Sequence, residues 1–407
     1  MMNKRNAVRV KLSLTEIFYN FCFASANFLS VFLRYLGIGA GQIGIITSMT
    51  NIMNIVSQPV WGAASDRVGS VRKCLMMCLL GSGLCVVFIP ALSQTGKPPF
   101  LAVNILVVLL YFFLTPANML MELWLVRVND SRELGISYGS IRSFASLGFA
   151  IMNLMYVPIL ARFPVYTVYY FYAVFAVIAA IFAWSMPADI RPGEAQKRQR
   201  LRDMPFRKIF TYWIGTYLLF EILFQIPFSW RNSYLIYALN EFGVQNSGYG
   251  GFLFIAGLCE VPMLLMSRRI IHRVGLAVPL MMSTILLAME YGMYAFGHSV
   301  LPLYVGQILR GFAYALYVAC RHQYVSRLAP EGMSGSTLAL VNAAYAGVNI
   351  AAAVFGGFIL QGMGARSFFA LLAGIQIFAG VFFVCSHIVG RFARKRELPE
   401  ELCLLRK

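Results

Sequence analysis

Glu16, Glu122, Glu221 and Glu260, with Arg142, Arg231 and Arg310, stand in or at the ends of long apolar stretches. A carboxyl in such a stretch can take up and release a proton. A guanidinium there offers a fork of donors that suits vicinal hydroxyls or a carboxylate. Charged groups are expensive among apolar neighbours, so each is expected to face a cavity or a partner. Amides join them at helical spacing, Glu16/Asn20/Asn27 in one stretch and Glu221/Gln225/Asn232 in another. Each set spans a narrow arc of a helix face. No G-x-x-x-x-G-K-[ST] run, no metal-spaced His/Cys cluster and no nucleophile elbow occurs. An ATP site, a metal, a cofactor and an enzyme's nucleophile are therefore not expected. Transport driven by an ion gradient or by the solute's own gradient remains.

Composition says what must position these groups. The chain has 407 residues, 59% hydrophobic and 12% charged, with a mean hydropathy of +0.70. A soluble domain is nearer 45–50% apolar and about 25% charged. A water-soluble enzyme, a disordered chain and a disulfide scaffold are excluded. The eight cysteines form no CxxC pair and read as small buried hydrophobes. The basic N-terminus precedes a long apolar run with Glu16 inside it, which reads as a retained helix and not a cleaved leader.

At about 20 residues per span, the pattern gives an all-α membrane protein with twelve transmembrane helices. They are expected at 12–33, 41–64, 74–92, 99–122, 137–161, 165–186, 209–238, 248–267, 276–297, 300–324, 334–362 and 367–390. With the N-terminus inside, the inner segments hold 26 of the 34 Lys+Arg and the outer loops four. The positive-inside rule then puts both termini in the cytoplasm. The net charge of +18 is explained by a surface facing anionic lipid, not by nucleic acid. The polar, basic stretch at 188–208 reads as a cytoplasmic linker. It divides an N-terminal six-helix bundle (1–187) from a C-terminal one with a short tail (209–407).

The two bundles read as related. Glu16, Asn20 and Asn27 share the spacing of Glu221, Gln225 and Asn232. Gly44 precedes Gly69 by 25 residues and Gly250 precedes Gly275 by 25. Arg67-Val68-Gly69 repeats as Arg273-Val274-Gly275. The offset is 205 or 206 residues in each case.

After the second span comes Gly62-Ala-Ala-Ser65-Asp66-Arg67-Val-Gly69, followed by Arg72 and Lys73. This resembles the helix 2–3 loop signature of the major facilitator superfamily, with a weaker copy ending in Arg273 and Gly275. His272 stands there in place of the acid. The resemblance implies a gate in which acid and bases pair in one conformation and part in another. A plain positive-inside loop is the alternative.

Further stretches resemble the branch that contains lactose permease and the 3-phenylpropionate transporter. They are Gln58-Pro59, Tyr138-Gly139-Ser-Ile-Arg142 through Gly148, Cys259-Glu260-Val-Pro262, and Gln307-Ile-Leu309-Arg310-Gly311. The resemblance implies that Arg142 contacts solute. Its acidic partner would stand three residues after Pro116, where Met119 lies; Glu122 follows three further on. A place at the membrane edge is the alternative for Glu122. Glu260 is implied as the proton carrier, with a structural buried acid as the alternative. Arg310 stands where the branch often has a histidine and is expected to pair with Glu260 or Glu290. Arg321 and His322 are expected at the membrane interface. The first and seventh helices are implied to line the cavity with Asn20, Asn27, Glu221, Gln225 and Asn232. Asn342, seven residues after Gly335 as Arg142 is after Gly135, is a further lining candidate.

The expectation is a secondary transporter, monomeric, without a cofactor. It is read as a proton symporter of a small organic solute: a sugar, nucleoside or aromatic acid. A proton-antiport exporter of amphipathic compounds is the alternative, though Gly148 is followed by Phe149 and not by the proline of drug antiporters. A non-transporting membrane sensor is a third reading.

Overall fold

The computed structural model describes residues 2–94, 99–131, 138–186, 210–330, 333–393 and 402. The expected linker at 188–208 lies outside them. The described residues are helical almost throughout and contain no strand.

In chain order the helices are α1 (Met2–Ala26), α2 (Leu29–Tyr35), α3 (Ala40–Val68), α4 (Val71–Gln94), α5 (Phe100–Ser131), α6 (Tyr138–Arg162) and α7 (Thr167–Trp184). They continue with α8 (Tyr212–Glu241), α9 (Asn246–Val274), α10 (Ala277–Phe296), α11 (Val300–Leu328), α12 (Ser334–Met363) and α13 (Ala365–Ile388). A π-helical turn, Val389–Ala393, follows.

Among the described residues, ten stretches are long and apolar enough to cross a membrane, and α1 with α2 counts as one of them. The helices outside those ten, α3 and α8, have 29 and 30 residues. Both are long enough but carry more polar side chains, including Glu221, Gln225 and Arg231 on α8.

The expected first helix departs from the prediction. It breaks at Asn27–Phe28, so Asn27 lies in a turn, not on the face that carries Glu16 and Asn20. The second and eighth helices outrun their expected ends at 64 and 267. α3 runs through Arg67 and α9 through Arg273 before either ends. Basic side chains suit a helix C-terminus, where the helix dipole is negative.

Gly69 ends α3 at φ +69° and Gly275 follows α9 at φ +81°. This left-handed region is open to glycine at little cost. Gly37 (φ +77°) and Gly243 (φ +73°) do the same after α2 and α8. Both pairs are 206 residues apart. Their hydrogen bonds match too: Ile38 N–H donates to Leu33 O (3.1 Å) and Val244 N–H to Leu239 O (3.0 Å).

The chain forms two compact units. One is Met1–Gln196 with Gln245–Phe254; the other is Lys197–Val244 with Ile255–Lys407. The core of the first holds Tyr19, Trp61, Cys74, Cys78 and Trp124, packed with Ala179, Ala180 and Ala183 of α7. That stripe of small residues lets neighbouring helices approach α7 closely, the usual device where lipid gives no hydrophobic drive. In the second unit, α8 packs on α13 through Phe220 and Phe383, with ring centroids 4.4 Å apart.

Candidate solute and proton site

In the second unit, the polar residues of α8 meet partners on α10, α11 and α12. Glu221 is buried. Its Oε1 accepts from Arg321 Nε at 2.6 Å and from Tyr317 OH at 2.6 Å. Its Oε2 accepts from Tyr217 OH at 3.1 Å. Arg321 also lies over the Tyr345 ring, 5.0 Å from its centroid. One turn along α8, Gln225 Nε2 donates to Asn349 Oδ1 at 3.1 Å.

The second cluster is a closed ring of hydrogen bonds. Arg231 Nε donates to Glu290 Oε1 at 2.7 Å, and Tyr294 OH donates to the same oxygen at 3.0 Å. Gln307 Nε2 donates to Tyr294 OH at 2.7 Å. Arg231 Nη2 closes the ring on Gln307 Oε1 at 3.0 Å. Arg231, Glu290 and Gln307 are all buried. Arg231 Nη1 reaches Asn232 Oδ1 at 3.2 Å, while Asn232 itself is exposed. Such pairs offset their own desolvation and add little net stability, but losing one partner strands the other.

Arg310 is different. Its Cζ lies 4.7 Å from the Phe228 centroid and 4.6 Å from the Tyr314 centroid. Its buried Nε has no hydrogen-bond partner among the described residues. A cation–π contact contributes about 0.5–2 kcal/mol. Placing an arginine in a membrane span costs about 2.5–3.5 kcal/mol on insertion scales. The rings therefore hold the guanidinium without replacing the acceptors that its N–H edges lack.

Glu260, on α9, is half-buried. Next to Arg310, Gly311 packs onto α9 at the level of Glu260. A β-carbon on Gly311 would stand 2.8 Å from Cys259 Cβ, 3.2 Å from Glu260 N, and against the carbonyl of Ala256. The two sequence motifs that contain Glu260 and Arg310 are thus brought together by one glycine.

Two expectations are corrected. Glu290 forms its salt bridge with Arg231 of α8 and not with Arg310, while Glu260 lies within electrostatic reach of Arg310. Arg321 is no interfacial group but the buried partner of Glu221. His322, the next residue around the helix, is exposed.

In the first unit Asn20 and Glu16 are buried together, with Asn20 Nδ2 donating to Glu16 Oε2 at 3.2 Å. Asn27 Nδ2 donates back to Phe23 O at 3.3 Å. Gly62 is half-buried on α3, Arg67 and Arg273 are exposed, and Asn342 is exposed on α12. The side chains of Asp66, Glu122 and Arg142 lie outside the described residues, and so does any Glu122–Arg142 pairing. The carboxylate of Glu290 has a visible signal: it is one acid between two stretches, 274–289 and 291–309, that hold no Lys, Arg, Asp or Glu, with Tyr294 four residues on. Tyr217, Tyr345 and Asn349 carried none.

The chain matches the model of the MFS_1 like family over residues 12–371. It is 28% identical over 348 residues to a maltose permease of Geobacillus stearothermophilus. It is 25% identical over 342 residues to the uncharacterized transporter YwbF of Bacillus subtilis (strain 168). Each match covers 82% of both chains. The fold is similar to the crystal structure of the nucleoside transporter NupG, with a TM-score of 0.78 at 14% identity, covering 93% of this chain and 98% of that one. It is also similar to a D-xylose-proton symporter, with a TM-score of 0.67 at 13% identity, covering 92% and 96%. The chain belongs to the MFS_1 like family and is a multi-pass, twelve-helix membrane transporter of the major facilitator fold.

Proposed function

We propose that the chain is a proton-coupled symporter that imports a small organic solute across the cytoplasmic membrane as a monomer, both termini inside. The solute classes are sugar, nucleoside and aromatic acid. The observation that carries this reading is the crossing at Gly311, which brings the segment of Glu260 beside the turn of Arg310. Glu260 is the proton carrier in this reading. The other charged or titratable groups in electrostatic reach of Arg310 include Glu290, Arg231, Tyr314 and Tyr291. Glu290 and Arg231 neutralise each other as an ion pair. Protonating Glu260 removes the negative charge that the Glu290 pair cannot supply, and leaves the guanidinium to the solute. Glu221, Gln225 and Gln307 keep their place on the solute path, while the Asp66–Gly69 and Arg273–Gly275 segments act as the gate. The similarity to a maltose permease and the shared fold with a D-xylose-proton symporter support this reading.

The test is a solute-triggered pH change in right-side-out vesicles, with sugars, nucleosides, aromatic acids and cationic dyes. Symport alkalinises the outside when one solute is added. Glu260→Gln is expected to abolish that signal and the pH dependence of uptake. A response restricted to hydrophobic cations, with protons moving the other way, would replace this reading by an exporter.

A further inference from the structure

Within the membrane helices of the second unit, the buried charges pair one to one: Glu221 with Arg321, and Glu290 with Arg231. Arg310 stands outside this pairing. It makes no hydrogen bond and no salt bridge among the described residues; its contacts are the faces of Phe228 and Tyr314. Those two rings are nearly parallel, 12° apart, with centroids separated by 5.7 Å. Rings under a guanidinium face fix its plane and leave its N–H edges pointing sideways. A planar cation held this way, with empty donors, is matched by two parallel acceptors that carry negative charge. The aromatic faces beside it suit an apolar or ring-shaped body.

We propose that Arg310, Phe228 and Tyr314 form an anion subsite that takes the carboxylate of a small organic acid. This deepens the symporter reading and rests on it for the solute being carried. A carboxylate with one proton on Glu260 would cross without net charge transfer, whereas a neutral sugar with one proton would not.

The experiment uses the purified full chain in detergent. The probes are benzoate, phenylacetate, lactate and gluconate, each beside its uncharged amide, and the readout is the thermal unfolding midpoint. At least one carboxylate is expected to raise the midpoint by a few degrees while its amide does not. The shift is expected to vanish in Arg310→Gln and to shrink in Arg310→Lys, which keeps the charge but loses the fork. Both variants should elute as the wild type does on gel filtration. The proposal is overturned if no carboxylate shifts the midpoint, if amides shift it equally, or if the shift survives in Arg310→Gln. Vesicle uptake of the stabilising acid separates the two readings. Binding without uptake would leave the anion subsite standing and remove the symporter.

Discussion

Glu290→Ala is expected to lower stability by about 3–5 kcal/mol, the cost of stranding a buried ion whose partner is gone. Arg231 would keep its place, 3% exposed, with Nε facing a void. Tyr294 would lose its acceptor as well, and the ring through Gln307 would open. The control is the double variant Arg231→Met with Glu290→Leu. It removes both charges at similar volume and is expected to fall close to the wild type. The measurement is the thermal unfolding midpoint in detergent for the single and double variants. A single variant as stable as the wild type would mean that Arg231 has another acceptor or reaches water.

The second large effect is expected at Gly311. Valine there drives its β-carbon into the Ala256 carbonyl and Cys259 Cβ. Backbone cannot step aside as a flexible side-chain end can, so α11 must move off α9. Overpacking of this kind typically costs 1–3 kcal/mol, and here it also separates the Glu260 and Arg310 segments. Solute-dependent proton movement is expected to disappear in Gly311→Val even in the fraction that inserts and folds. Gly311→Ala meets the same atoms with a single methyl and is expected to retain part of the signal. Full activity in the valine variant would show that this close approach is not needed.

The helices were legible in the sequence because the bilayer leaves little choice: an apolar run of about 20 residues must close its own hydrogen bonds. Their ends were less legible. The expected ends stop before the next charged residues, Asp66 and Arg268, but α3 and α9 continue through them and stop only near the left-handed Gly69 and Gly275. Nothing local marks the break at Asn27, where neither glycine nor proline stands. For the site, residue types were legible and partners were not. Glu221 and Arg321 lie 100 residues apart, and Arg231 and Glu290 lie 59 apart. Such pairings depend on helix rotation and depth, which spacing within one helix does not contain. That is why Arg321 read as interfacial and why Glu290 was matched to Arg310. The glycine repeat, by contrast, was half visible: Gly69 and Gly275 stood out by their tripeptide, while Gly37 and Gly243 emerged from backbone geometry.

Among the described residues, the cations of the two buried ion pairs and of the contact with Phe228 and Tyr314 are all arginines: Arg231, Arg321 and Arg310. Arginine keeps its proton at any pH a cell meets. Alkali therefore has no cationic proton to remove from these three positions. The positive charge of these positions is thus a constant of the site, and what can change there is only which acceptor each guanidinium faces.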